Sequence, residues 1–201
     1  MADWAASLSP AEQQRHVAYR LAADRDRFLL GRGLVRALLG RWLHIAAADV
    51  AIEFGPHGKP RCPGGPEFNV SHSGDLILLA LHPTRPVGVD VEQHRPALDW
   101  PPIARRVFSS AQVEALMHRP PAEQAQAFLQ GWCLLEAGLK ASGLGFAGHG
   151  AASAPAQPPL KRWSVALPPG YCGALALLGA GSDAETATAS GRRAAGLIRR
   201  G

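Results

Sequence analysis

The sequence predicts an α+β fold made of two halves with similar element order, residues 1–98 and 99–180, followed by a flexible tail over 181–201. Three observations predict it. Apolar residues recur at helical spacing from about Arg20 to Leu43. Apolar and alternating runs crowd residues 68–92. A second block of helical pattern, centred on 122–142, is followed by two further strand-like runs.

The first helix is read from its start signal. Ser9-Pro10-Ala11-Glu12 supplies an N-cap serine, proline at the first helical position and a glutamate spaced to close a capping box. In the second helix Phe28, Leu29, Leu34, Val35, Leu38, Leu39 and Trp42 form an apolar stripe, with Arg25, Arg32 and Arg36 on the polar face. Residues 49–54 alternate weakly as a strand, and the Gly- and Pro-rich stretch from Gly55 to Pro66 predicts a loop. Phe68-Asn69-Val70, Asp75 to His82 and Val87 to Glu92 read as three strands of a meander, with Ser71-His72-Ser73-Gly74 as the turn between the first two.

Beyond Pro101 the pattern becomes helical: Ile103 to Val107, a second start at Ser109 or Ser110, and a long segment from about Ala122 to Ser142 that contains Gly131 and Gly138. Gly143 to Pro159 predicts a loop, and Trp163 to Leu167 and Tyr171 to Leu178 predict strands.

Composition bounds the function. A 201-residue chain with 47% hydrophobic residues can bury one sizeable core or two lobes that share an interface. The three cysteines, Cys62, Cys133 and Cys172, are far apart and lack metal spacing, so neither a disulfide framework nor a zinc site is expected. No apolar run is long enough to span a membrane, and the amino terminus lacks the pattern of a secretory signal; no membrane partner and a cytoplasmic location are the expectation. A net charge of +5 favours anionic partners. Nucleic acid is not expected among them, because the arginines are scattered without interleaved aromatics.

Chemistry concentrates in four segments. In Gly88-Val89-Asp90-Val91-Glu92 the two-residue period of a strand puts both carboxylates on one face. Two acids about 7 Å apart at Cα can converge on one hard cation. They can equally be solvated acids at a strand end. Glu136 and Lys140, four apart in a helix, can form a surface pair, yet their neighbours from Trp132 to Leu139 are mostly apolar, which asks for a ligand. Ser71, His72 and Ser73 offer hydroxyls and an imidazole suited to a phosphate or to a capped turn. Lys59, before Pro60, adds a cation on a stiff turn.

Taken together, Gly58-Lys59-Pro60, Phe68 to Gly74, Gly88 to Glu92, Phe108-Ser109 and Trp132 to Lys140 resemble the 4'-phosphopantetheinyl transferases of the monomeric, surfactin-synthetase type. The resemblance covers roughly residues 9–146 and rests on the order and spacing of independent motifs. It implies two α/β halves related by a pseudo-two-fold axis, with the active site in the cleft between them. It further implies that Asp90, Glu92 and Glu136 ligate Mg²⁺; that Ser71 and His72 contact the phosphates of coenzyme A; that Lys59 and Pro60 line its nucleotide end; that Lys140 reaches the pyrophosphate; and that Arg32 and Arg27 meet the 3'-phosphate.

The activity implied is transfer of 4'-phosphopantetheine from coenzyme A to a serine of an acidic acyl or peptidyl carrier protein, releasing 3',5'-ADP, by a monomer. Glu136 is the expected base and Lys140 the expected cationic catalyst. The rival is a non-catalytic module that binds carrier protein or coenzyme A. It is favoured by Leu135, which stands where the family usually carries lysine, and Gly138 likewise replaces a larger residue.

Overall fold

Helix α1, Pro10–Ala18, begins as its residues dictate: Ser9 Oγ accepts the Glu12 amide at 3.3 Å and the Ser9 amide donates to Glu12 Oε2 at 2.9 Å. The same carboxylate takes Arg36 Nε at 2.7 Å. Arg36, only 3% exposed, also donates to the carbonyls of Ala47, Ala48 and Val50, so one buried guanidinium ties α1 and α2 to the segment that follows them. Helix α2 spans Ala22–Leu43 and ends on His44 in the left-handed region. The computed structural model describes residues 4–145, 159–179 and 195–199, the last as backbone only.

The predicted strand at 49–54 is shorter than its alternation suggested. Ala47–Asp49 is a 3₁₀ turn, and only Glu53–Phe54 (β1) is extended, paired with Pro60–Arg61 (β2) inside the predicted loop. Strand β3 runs Glu67–Ser73, so Ser71, His72 and Ser73 lie on the strand and not in a turn. Its register with β4, Leu76–His82, is carried to the end by Ser73 opposite Leu76, and Gly74, at φ 54°, makes the reversal alone with Asp75.

The meander is not closed. Strand β5, Val87–Gln93, leaves β4 and pairs antiparallel with Tyr171–Leu178, named β7 here because Leu160–Ser164 forms β6. Two three-stranded sheets result, β3-β4-β8 and β5-β7-β6. Strand β8, Ala195–Arg199, pairs antiparallel with β4 and lies within the stretch expected as tail. With β3 on only one side, β4 has a second edge of open main-chain groups, which a short extended segment satisfies. The rest of that tail, 181–194 and 200–201, lies outside the described residues.

Strand periodicity builds the layers. Phe68, Ile77 and Leu79 face α2 and pack on Leu34, Val35 and Leu39. The opposite face, with Leu76, Leu78 and Ala80, packs on Val87, Val89, Val91, Leu175 and Leu177 of the second sheet. The far face of that sheet carries Cys172, Ala174 and Ala176 against Phe128, Leu129, Cys133, Ala137 and Ala141 of α5. The order is therefore α2, first sheet, second sheet, α5.

Helices α3 (Trp100–Val107) and α4 (Ser110–Met117) lead into α5, Pro121–Ser142, which runs unbroken through both glycines. Each glycine is matched by a side chain. A Cβ at Gly131 would stand 3.1 Å from the Phe108 ring, and one at Gly138 would stand 2.7 Å from Arg162 Nε. Among the described residues no helix is long and apolar enough to cross a membrane.

Candidate active site

Asp90 and Glu92 project from the α5 side of β5, as the strand period requires, because Val89 and Val91 are committed to the core between the sheets. Asp90 is 3% exposed. Its Oδ1 accepts Lys140 Nζ at 2.6 Å and Ser71 Oγ at 2.9 Å, and its Oδ2 is buried and, among the described residues, accepts no N–H or O–H donor. The Cys133 thiol lies beside this carboxylate and gives its proton to the Cys172 carbonyl at 3.5 Å; burial, and then Asp90, push its titration upward. Glu92 Oε2 accepts Ser73 Oγ at 2.9 Å.

Glu136 and Lys140 stand one turn apart on α5. Burial raises the Glu136 pKa above the usual range; Lys140 opposes that, and the charges of Asp90 and Glu92 add to it. The three acids thus share one field. Among the described residues, however, no three His, Cys, Asp or Glu side chains converge into a closed cation site. The donor set still fits a hard divalent ion: it is all oxygen, it carries more negative charge than Lys140 offsets, and it keeps a buried carboxylate oxygen uncommitted.

The other predicted residues fall in different places. Ser71 is 6% exposed, and its hydroxyl is occupied by Asp90, by Lys140 Nζ at 3.1 Å and by the Val91 amide at 3.3 Å. Its neighbour His72 points to the opposite side of β3, where its ring is exposed at the surface but partly desolvated by its surroundings; that desolvation first, and then the charge of Arg27, lower its pKa, Lys140 adding to the effect and Asp24 opposing it. Arg27 is paired with Asp24 at 2.7 Å.

Arg32 is turned elsewhere, stacked over the rings of Phe28 and Phe54 and 3.7 Å from Glu12. Lys59 Nζ donates to the carbonyls of Val87 at 3.2 Å and Ala141 at 2.9 Å, and burial lowers its pKa against the opposing effect of Glu67. Pro60 pairs with Phe54 in the β1-β2 ribbon. The sites of Asp90, Glu92, Glu136 and Lys140 are therefore brought together, His72 and Arg27 neighbour one another, and Arg32 stands apart.

A pocket of about 220 Å³ opens beside Glu92, walled by Leu98, Ile103, Phe128, Leu129 and Trp132. A larger groove of about 610 Å³ runs between α4 and α5 past Phe108, Leu116 and Leu134, and none of the candidate residues line it. Sequence reasoning missed Asn69 and the seam role of Ser73, which it read as a phosphate-facing or capping turn hydroxyl, and it missed Cys133. The signal for the first two was present: polar residues at every second position of an otherwise apolar segment mark a strand face turned to hydrogen-bonding partners.

Motif, fold and charge cluster define a mixed helix-and-sheet protein in which a carboxylate-bearing strand faces a helix carrying a glutamate and a lysine. The sequence model described as the 4'-phosphopantetheinyl transferase superfamily matches residues 86–170, and that described as the N-terminal region of a 4'-phosphopantetheinyl transferase matches residues 1–84. The chain belongs to the 4'-phosphopantetheinyl transferase superfamily.

Among its relatives, the 4'-phosphopantetheinyl transferase HetI of Nostoc sp. is 36% identical over 150 residues, covering 72% of this chain and 63% of the relative. The 4'-phosphopantetheinyl transferase Sfp of Bacillus subtilis is 31% identical over 141 residues, 69% of this chain and 61% of the relative. The 4'-phosphopantetheinyl transferase AcpT of Salmonella typhimurium is 38% identical over 118 residues, 56% and 62%. The chain spans about three fifths of the length of these curated relatives.

Proposed function

We propose that this protein transfers the 4'-phosphopantetheine arm of coenzyme A to a serine of an acyl or peptidyl carrier protein, releasing 3',5'-ADP. The observation that carries the reading is the pairing of buried Asp90 with half-buried Lys140, with Glu92 and Glu136 in the same field. The similarity to named transferases supports the same reaction class.

Coenzyme A lies between two halves related by a pseudo-two-fold axis, and the positive balance of the chain suits an acidic carrier. His72 and Arg27 supply positive character to its phosphates, and Ser71, Lys59 and Pro60 complete the coenzyme-facing set; Arg32, expected at the 3'-phosphate, is turned instead to Phe28, Phe54 and Glu12. The protein acts as a monomer in the cytoplasm. Asp90, Glu92 and Glu136 would hold Mg²⁺, which when bound would supply positive charge to offset that of the phosphates.

The residues of the chain do the rest. The carrier serine oxygen bonds to the β-phosphorus, and the phosphorus–oxygen bond to 3',5'-ADP breaks, its electron pair leaving with the nucleotide. Glu136, one helical turn from Lys140 and in the field of Asp90 and Glu92, accepts the serine proton. Lys140 turns its ammonium from Asp90 to the departing oxygen, offsetting charge where it accumulates.

The test is to incubate the purified protein with coenzyme A, Mg²⁺ and several apo carrier proteins and to weigh the carriers by mass spectrometry. Addition of phosphopantetheine is expected. A Glu136→Gln variant should bind coenzyme A and turn over at least a hundred-fold more slowly, in the range of a lost general base. Leu135 favours the second reading, a non-catalytic binding module, and coenzyme or carrier binding with no transfer to any carrier would establish it.

A further inference from the structure

Strands β3 and β5 are the edge strands of two different sheets, and they meet without a main-chain ladder. Their join is made by side chains. Asn69 Oδ1 accepts the Val89 amide at 2.9 Å, Ser71 Oγ the Val91 amide at 3.3 Å and Ser73 Oγ the Gln93 amide at 3.1 Å. Partners rise together along both strands, two residues at a step, so the strands run parallel here. The three donors are the outward amides of a sheet edge, and in this buried seam they would otherwise go unsatisfied.

Two of the three connectors do more. A hydroxyl has one proton and two lone pairs. Having accepted an amide, Ser71 still donates to Asp90 Oδ1 and Ser73 to Glu92 Oε2, each at 2.9 Å. Each serine therefore anchors one oxygen of a carboxylate to the backbone of the residue that follows it. Among the described residues Asn69 has no such second partner: its side chain serves the seam.

We infer that Ser73 is a positioning residue for Glu92, as Ser71 is for Asp90: the seam serines fix which carboxylate oxygen is spent on the protein and which is left to a divalent cation. The inference rests on the reading of Asp90, Glu92 and Glu136 as cation ligands. It assigns Ser73 no contact with coenzyme A or carrier. Partners of this kind typically change metal affinity 10- to 100-fold when removed.

The experiment measures Mn²⁺ binding to the free protein by electron paramagnetic resonance, with no coenzyme or carrier present. The variants are Ser73→Ala, Ser73→Thr, Asn69→Ala and Glu92→Gln, each with its melting temperature. Ser73→Ala should weaken Mn²⁺ by about ten-fold and Ser73→Thr should restore it. Asn69→Ala should lower the melting temperature through the same seam while leaving Mn²⁺ affinity within about two-fold, since it touches no carboxylate.

If Ser73→Ala does not fold, the isosteric pair Ser73→Thr and Ser73→Val makes the comparison at constant volume. Equal Mn²⁺ affinity with and without the hydroxyl, or equal weakening by Asn69→Ala, overturns the inference while Glu92→Gln still abolishes binding. Failure of the wild-type protein to bind Mn²⁺, or indifference to Glu92→Gln, overturns the cation reading itself.

Discussion

Gly88 of β5 and Ala137 of α5 approach so closely that a side chain at position 88 would overlap the Ala137 carbonyl and the Ala141 amide. Gly88 occupies the same strand face as Asp90 and Glu92, so this contact sets the distance between the carboxylate strand and the helix bearing Glu136 and Lys140. Gly88→Ala must push the helix away. We expect a loss of about 1–3 kcal/mol or more, read as a fall of several degrees in melting temperature, together with loss of transfer activity.

Lys59 closes the same junction from the other end. Its ammonium caps the Val87 carbonyl of β5 and the Ala141 carbonyl in the last turn of α5. Lys59→Met should leave two carbonyls short of a donor and cost about 1–3 kcal/mol, measured by denaturant unfolding. A lysine acting only on the coenzyme would leave the unfolding midpoint unchanged.

His72 provides a pH signature. Burial and Arg27 hold its pKa below the ordinary value of 6.5, so the free protein carries it neutral near pH 7. A bound phosphate favours the imidazolium, so binding takes up a proton and coenzyme affinity rises as pH falls. Isothermal titration from about pH 7.5 to pH 6 should show this tightening, with His72→Gln flattening the part that exceeds the titration of the phosphate itself.

His82 governs stability instead. Its Nδ1 accepts the amides of Thr84 at 3.2 Å and Arg85 at 2.8 Å, which requires the unprotonated nitrogen. Burial first, and then Arg85, lower its pKa below 6.5, with Glu67 opposing. A depressed folded-state pKa gives stability that is present above the unfolded value and is lost as pH falls through the folded one. Between about pH 7 and pH 5 the melting temperature should fall by about 1–2 °C more than in His82→Asn, whose amide oxygen can accept the same turn amides at any pH.

The amino-acid sequence by itself determined the elements whose causes are local. The Ser9–Glu12 capping box, the stripe of α2 and the alternation that puts Asp90 and Glu92 together follow from neighbours a few residues apart. It was equally sufficient for the family, because ordered motifs survive in the chain whatever their contacts. Its errors fell where a distant partner decides. The segment Ser71 to Ser73 reads as a turn by composition, yet it is strand, because its hydroxyls meet the free edge of β5, 20 residues on in the chain. β5 itself was drawn away from the meander by β7, some 80 residues on. Gly131 and Gly138 look like helix breakers until Phe108 and Arg162 fill the space above them. Lys140 and Asp90, 50 residues apart, become a pair only when α5 packs on β5. Short-range hydrogen bonds and periodicity are written in adjacent residues; which edge meets which edge, and which carboxylate oxygen is left over, depends on groups that only the packed tertiary structure brings within reach.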